Sequence, residues 1–221
     1  MDYLGSRSYS KMFTFHPDSA FCTTDKFNCF EKGAMGNSAA FAKAEAGTTS
    51  EIWYPKSDYM IVKQKAEPFN MYDGKAFHSG TLNVSPKGLF GNGSTKSEEM
   101  IVNSLNTKFV PDEYTSDTAG FVLNALDGNS IAFKADNVKA KVSFTTRTGE
   151  FTSNDGVSKT ELPFLQYECF VDKFEWNMDS KLLALLDTQS PKVGDFASKS
   201  LSTLVDLEQP GARFNSVHPN Q

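Results

Sequence analysis

Between Ser130 and Met178, aromatic and β-branched residues take every second position in short segments separated by Gly, Asn and Asp turns. A period of two sends alternate side chains to opposite faces, so the pattern predicts β-sheet. Ile131, Phe133 and Ala135 share one phase. Val138, Ala140, Val142 and Phe144 continue after a one-residue slip at Asp136-Asn137, which is what a β-bulge or tight corner does to alternation. Upstream, Ile52-Trp53-Tyr54 and Tyr59–Val62 read as strands, Asp73-Gly74 as a tight turn, and Phe77–Val84 as a strand running into the glycine corner Gly88-x-x-Gly91-x-Gly93. Met100, Ile101, Leu105 and Phe109 have helix-like spacing, yet Val102, Asn103 and Thr107 favour a strand. Thr118–Leu126 and the apolar run Leu182–Leu186 complete the series of predicted strands.

The first fifty residues are the least regular. Ser38–Ala46 fits either two helical turns capped by Asn37 or Ser38 and ended by Gly47, or small residues where two sheet layers approach closely. The expected organisation is an irregular N-terminal segment packed on the sheet (1–50), a β-rich core module (51–186) and a polar C-terminal excursion (187–221). The expected fold class is all-β: elongated or stacked antiparallel sheets, jelly-roll or sandwich-like, with at most one or two short helices.

Composition narrows the function classes. The chain has 221 residues, 39% hydrophobic and 13% aromatic with 19 Phe, enough for a folded interior. Its mean hydropathy of -0.41, and the lack of any run near the roughly eighteen apolar residues of a spanning helix, exclude a helical membrane span. A formal charge of -5, from interspersed 27 acidic and 22 basic residues, disfavours nucleic acid as a partner. The opening Met1–Met12 lacks the basic start and apolar core of a secretory signal, and Gly211–Gln221 has no closing element, as expected of a piece of a longer chain.

Candidate chemistry is sparse. Cys22 and Cys29 bracket a polar loop and are either a disulfide or two reduced thiols on strand faces. Cys169 with His16, His78 and His218 has no zinc-ligand spacing, so no metal is expected. Gly88–Gly93 lacks the Lys-Ser/Thr ending and following helix of a phosphate loop, and no cofactor is expected. Asp112, Glu113 and Asp117 read as a solvated loop rather than a calcium loop. Glu98, Glu99, Glu161, Glu168, Asp172 and Glu175 read as outward strand charges rather than a glycosidase pair. His78 and Ser79, adjacent on a strand, face opposite ways, which argues against a nucleophilic triad. Tyr167, Phe170, Phe174 and Trp176 form the most aromatic stretch, a core row by its alternation with charged residues, or else a platform for a sugar or partner.

Several phrases resemble those of very large β-repeat envelope proteins of Gram-negative bacteria: Tyr54–Met60, Pro68–Tyr72, Gly80–Gly93, Ala132–Val138, Gly149–Phe151, Phe164–Tyr167 and Phe174–Asp179. The resemblance covers about Tyr54 to Asp179 and implies stacked, open β-jelly-roll repeats like those of the OstA-like lipopolysaccharide-transport proteins. It further implies a periplasmic, outer-membrane-associated or secreted location, neighbouring repeats or other subunits as partners, and a groove for acyl chains. It carries over no catalytic residue. The functional expectation is a non-enzymatic structural or scaffolding module of a cell-envelope or surface assembly. The alternatives are a lipid- or glycan-binding β-module, or a viral or phage jelly-roll structural protein.

Overall fold

A computed structural model describes residues 2–4, 6–29, 41–126, 128, 130–156, 158–163, 167–186 and 203–206. The described chain is nearly all strand, an open antiparallel and sandwich-like β architecture, as the alternation predicts. A 3-10 turn, Tyr72–Gly74, stands at the predicted tight turn, with Asp73 at φ 56°. The chain divides into two compact units, Met1–Glu98 with Asn103–Ser116, and Glu99–Val102 with Asp117–Gln221. The single core module expected over 51–186 is thus shared between two units.

The first unit holds β1 (Asp2–Tyr3), β2 (Ser6–Tyr9), β3 (Phe13–Phe15), β4 (Ala20–Thr24), β5 (Lys26–Cys29), β6 (Ala44–Ala46), β7 (Thr49–Tyr54), β8 (Tyr59–Gln64), β9 (Phe69–Met71), β10 (Ala76–Ser85) and β11 (Gly88–Ser97). Their pairings make two ladders, β1-β2-β5-β6-β9 and β3-β4-β7-β8. The register of β2 on β5 runs on unbroken into that of β3 on β4, and that of β4 on β7 into β5 on β6. Each short strand is therefore half of a longer bent one, and its two halves lie in different ladders. Ser10 holds one bend, its hydroxyl placed 2.8 Å from the Met12 carbonyl and 2.7 Å from that of Thr23.

β10 joins the ladders: Ala76–His78 pair with β9, Thr81–Val84 with β8, and β11 follows β10 along its length. The fork falls at Gly80, which faces Gly93. Their φ angles are 146° and 142°, and a Cβ on either would stand 2.0 Å from a carbonyl oxygen of the partner strand. Only glycine lets the two backbones meet there. The buried faces of the two ladders then meet: His78 packs beside Gly91, and Ser8 of β2 lies near the Glu51 carboxylate of β7.

The described part of residues 1–50 differs from the irregular segment expected, because it consists of β1 to β6 and the start of β7. Strands of two to five residues that change ladder at every bend reset the alternation too often for it to be visible. Of the Ser38–Ala46 stretch, residues 38–40 lie outside the described ones. Ala44–Ala46 is strand rather than helix, with the fully buried Ala44 between Cys29 and Met71 of the adjacent strands.

β12 (Met100–Val110) and β13 (Glu113–Asn124) contribute residues to both units. The second unit adds β14 (Ile131–Ser143), β15 (Thr148–Ser153), β16 (Ser158–Leu162), β17 (Tyr167–Val171), β18 (Lys173–Asn177), β19 (Leu182–Leu186) and β20 (Thr203–Asp206). β14 forks as β10 does: Lys134 and Ala135 pair with β16, and Val138–Ser143 with β15. The switch falls at Asn137, whose φ of 54° is the physical form of the predicted phase slip. β15 continues through β18 and β19 to β20, while β16 pairs with β17. Of the polar excursion 187–221, all but β20 lies outside the described residues.

Side chains fill the space inside the second unit. Phe121, Phe133, Phe151 and Phe174 are buried, with ring centroids 4.2 to 5.9 Å apart, and Phe151 stacks on Phe174, its direct cross-strand partner. Trp176 is fully buried in the same row and faces Gly149. Phe174→Ala is expected to lower unfolding free energy by about 3 to 5 kcal/mol, the cost of truncating a buried Phe. Gly80→Ala, which removes no contact, is expected to cost about 3 kcal/mol through strain alone. Urea denaturation of both variants checks this; a Gly80→Ala protein as stable as the parent would show that the corner does not need its glycine pair.

Candidate functional site: the open edge of the first unit

β3 is short, and among the described residues only β4 pairs with it. Cross-strand registers carry two inward rows away from it. Phe13, Cys22, Glu51, Val62, Leu82 and Gly91 succeed one another across β3, β4, β7, β8, β10 and β11. Phe15, Ala20, Trp53, Met60, Val84 and Leu89 form the second row. Cys22, Glu51, Val62 and Leu82 are buried, as are Ala20, Met60, Val84 and Leu89. Phe13 and Phe15 thus occupy core positions of the sheet, but at its last strand the cover runs out: Phe13 is half-buried and Phe15 is 76% exposed. Their rings stack at 6.5 Å. Met12, which precedes Phe13 in the chain, is 74% exposed as well. A large apolar patch beside an unpaired backbone edge is an arrangement that soluble proteins ordinarily avoid.

Just inside this edge lies a buried polar cluster. Glu51 has no exposed surface; its carboxylate accepts from Thr49 Oγ1 at 3.2 Å, and Cys22 Sγ lies 3.9 Å away. The Thr24 and Thr49 hydroxyls bond to each other, and Ser8 and Thr24 also reach the carboxylate. Burial raises the Glu51 pKa, and the hydroxyl hydrogen bonds only partly offset it. Burial likewise lifts the Cys22 thiol to about 11, with help from the Glu51 charge, and the Cys29 thiol to about 12. Both are therefore weak nucleophiles at neutral pH. Sequence reasoning missed Glu51 because nothing in Thr49-Ser50-Glu51-Ile52 separates a buried carboxylate from an outward one. It passed over Phe13 and Phe15 although Phe13-Thr14-Phe15 alternates.

The other anticipated residues are placed as follows. Cys22 lies in β4 and Cys29 in β5, in different ladders, and both are free buried thiols. Phe174 and Trp176 point into the core, so they belong to no platform, while Phe170 is 67% exposed. The side chain of Tyr167 lies outside the described ones. Cys169 is a half-buried free thiol beside the Thr160 hydroxyl, 2.9 Å away. His78 is fully buried, with Nδ1 3.0 Å from Thr95 Oγ1, and its ring lies near those of Phe69 and Phe109. Burial pushes its pKa down to about 4. Glu161 and Glu168 flank Lys159, and Glu150 and Glu175 flank Lys173, as outward ion pairs. Among the described residues no group of His, Cys, Asp and Glu is placed to hold a metal, and no helix is long and apolar enough to cross a membrane.

Comparison with family models, curated proteins and solved structures finds no match for this chain.

Two buried ionisable groups give the first unit opposed pH dependences. His78 is harder to protonate folded than unfolded, so its contribution is fully present above its unfolded pKa near 6.5 and is lost as pH falls towards 4. The expected slope is about 1.4 kcal/mol per pH unit in that window. Glu51 has the raised folded pKa, so its contribution is present below its unfolded value near 4.5 and is lost as pH rises. Glu51→Gln is therefore expected to raise Tm at pH 7 and to leave it unchanged at pH 4. Thermal melts across this range check both signs. A thiol assay in denaturant without reductant is expected to count all three cysteines; a count of one would show a Cys22–Cys29 bridge.

Proposed function

We propose that this chain is a non-enzymatic structural module that joins a neighbour through the β3 edge and serves as a building unit of a cell-envelope or surface assembly. The observation that carries this reading is the pair of core rows that end, uncovered, in Phe13 and Phe15. A strand added beside β3 would pair its free backbone groups and continue the sheet, while the neighbour's inward side chains would cover the two rings. The residues best suited to chemistry support the same reading: His78 and Glu51 are fully buried and taken up in hydrogen bonds within the sheet. The envelope location rests on the resemblance of Tyr54–Asp179 to repeat phrases of envelope proteins.

The geometry favours a second copy of this chain as neighbour. Antiparallel pairing of β3 with its own copy about Thr14 would set Phe13 of each opposite Phe15 of the other, an isologous two-fold contact. Pro17, just beyond the strand, has no N–H to donate and would confine the contact to a short segment. Sedimentation analysis is expected to show concentration-dependent dimers, and Met12→Lys/Phe15→Lys to be monomeric with an unchanged Tm, since both positions are exposed. A parent protein that stays monomeric at millimolar concentration, or a double variant that dimerises equally well, would refute the proposal.

A further inference from the structure

On the outward face of the ladder β8-β10-β11 lies an open groove of about 750 Å³. Its floor is set by register: Ile61, Asn83 and Phe90 stand side by side on three adjacent strands, and Thr81 and Asn92 pair in the next row. Tyr59, stacked against Tyr54 with ring centroids 4.8 Å apart, stands at one end, and Leu105 and Asn106 line the groove as well. The buried faces of these strands carry Val62, Leu82 and Leu89. Apart from Leu82 and Gly91, the groove residues on these strands belong to the outward half of an alternating pattern, where charged residues are the usual occupants.

Here the amides Asn83, Asn92 and Asn106 and the apolar Ile61, Phe90 and Leu105 stand among the occupants. The side chains of Asn83, Asn92 and Asn106 are exposed, and among the described residues none of the three has a hydrogen-bond partner. Each offers two N–H donors and a carbonyl with two lone pairs. Phe90 and Ile61, one strand spacing of about 4.8 Å to either side of Asn83, are only half-exposed and present flat apolar surface. Asp58, at the groove's edge, accepts a hydrogen bond from the Tyr3 hydroxyl at 2.8 Å. Lys87 is a groove-lining cation to set against that carboxylate, so the lining favours neither sign of charge.

We infer that this groove is a binding site for a neutral oligosaccharide, with Phe90 and Ile61 under the ring faces and Asn83, Asn92 and Asn106 on the hydroxyls. A pyranose ring has the matching chemistry: faces of C–H bonds that lie on an aromatic or aliphatic surface, and a rim of hydroxyls that both donate and accept. Unpartnered amides interleaved with apolar side chains supply both surfaces in one groove. An acyl chain laid there would strip water from Thr81, Asn83 and Asn92 and return no hydrogen bonds, at a cost of the order of 1 to 3 kcal/mol per group.

The test is titration of 15N-labelled protein with four neutral linear tetrasaccharides, built of glucose, mannose, galactose and N-acetylglucosamine. The Met12→Lys/Phe15→Lys variant is titrated alongside, so that loss of self-association and loss of sugar binding are read separately. At least one sugar is expected to shift the side-chain NH2 resonances of Asn83 and Asn92 in both proteins. Phe90→Ala and Asn83→Ser are each expected to weaken that sugar by about tenfold or more with little change in Tm. No shift with any of the four sugars, shifts that leave Asn83 and Asn92 unmoved, or equal affinity in both groove variants would overturn the inference.

Discussion

A sheet that buries its apolar face without a helix or a second chain to cover it must fold over onto itself, and a hydrogen-bonded ladder resists such folding. The first unit solves this where β10 leaves β9 for β8. Gly80 and Gly93 face each other there, and the two backbones come closer than any side chain would allow. The adjacent strands bend as well, each changing ladder across a few residues such as Ser10–Met12 or the lone Asp25. The core that results, with Phe27, Phe69, His78 and Phe109, exists only because of these bends. In the second unit Asn137 takes the corresponding place, using the left-handed conformation that Asn tolerates better than most residues.

A folded-over ladder has two faces but also an end, and the end is where its energetics are least complete. Inside the ladder, an inward side chain is covered by the opposite half of the sheet. At β3 the row continues in sequence and in register while the cover does not, so that Phe13 and Phe15 retain apolar surface that a further strand would remove from water. Glu51 sits two strands further in, on β7, in the same row as Phe13. Its carboxylate has hydroxyl partners, yet burial outweighs them and raises its pKa. Large rings at the edge and a carboxyl behind them both follow from a sheet whose last strand is only half enclosed.

The β architecture and most of the turns were legible in the sequence because long strands such as β10, β13 and β14 hold a phase over several residues at a time, even where, as in β13 and β14, it slips once. Asp136-Asn137 was legible even as a bend, since an inserted residue in a long alternation flips everything after it. The N-terminal strands were not, because two-to-five-residue pieces that change ladder at each bend never establish a phase to be broken. The aromatic stretch 167–178 illustrates a different limit. Alternation showed that Phe174 and Trp176 share a face, but only cross-strand register, with Phe151 and Gly149 opposite, shows which face is closed. For Glu51 the sequence carries no signal at all: its burial is decided by Ser8, Thr24 and Thr49, brought together from three different strands.

The two surface features of the first unit belong to opposite faces of the same ladder. Phe13 and Phe15 lie on the inward rows, whereas the groove lies on the outward row that runs from Thr14 through Phe21, Ile52, Ile61 and Asn83 to Phe90. Adding a strand at β3 would therefore bury the inward rings without touching the groove, and would carry the outward row onward into the neighbour. Because strands in a sheet stay about 4.8 Å apart whatever chain they come from, the spacing of outward side chains would be preserved across such a junction. Assembly through the edge and binding on the face are thus geometrically compatible. A ligand following the outward row would meet, in a joined pair, a surface longer than one chain presents.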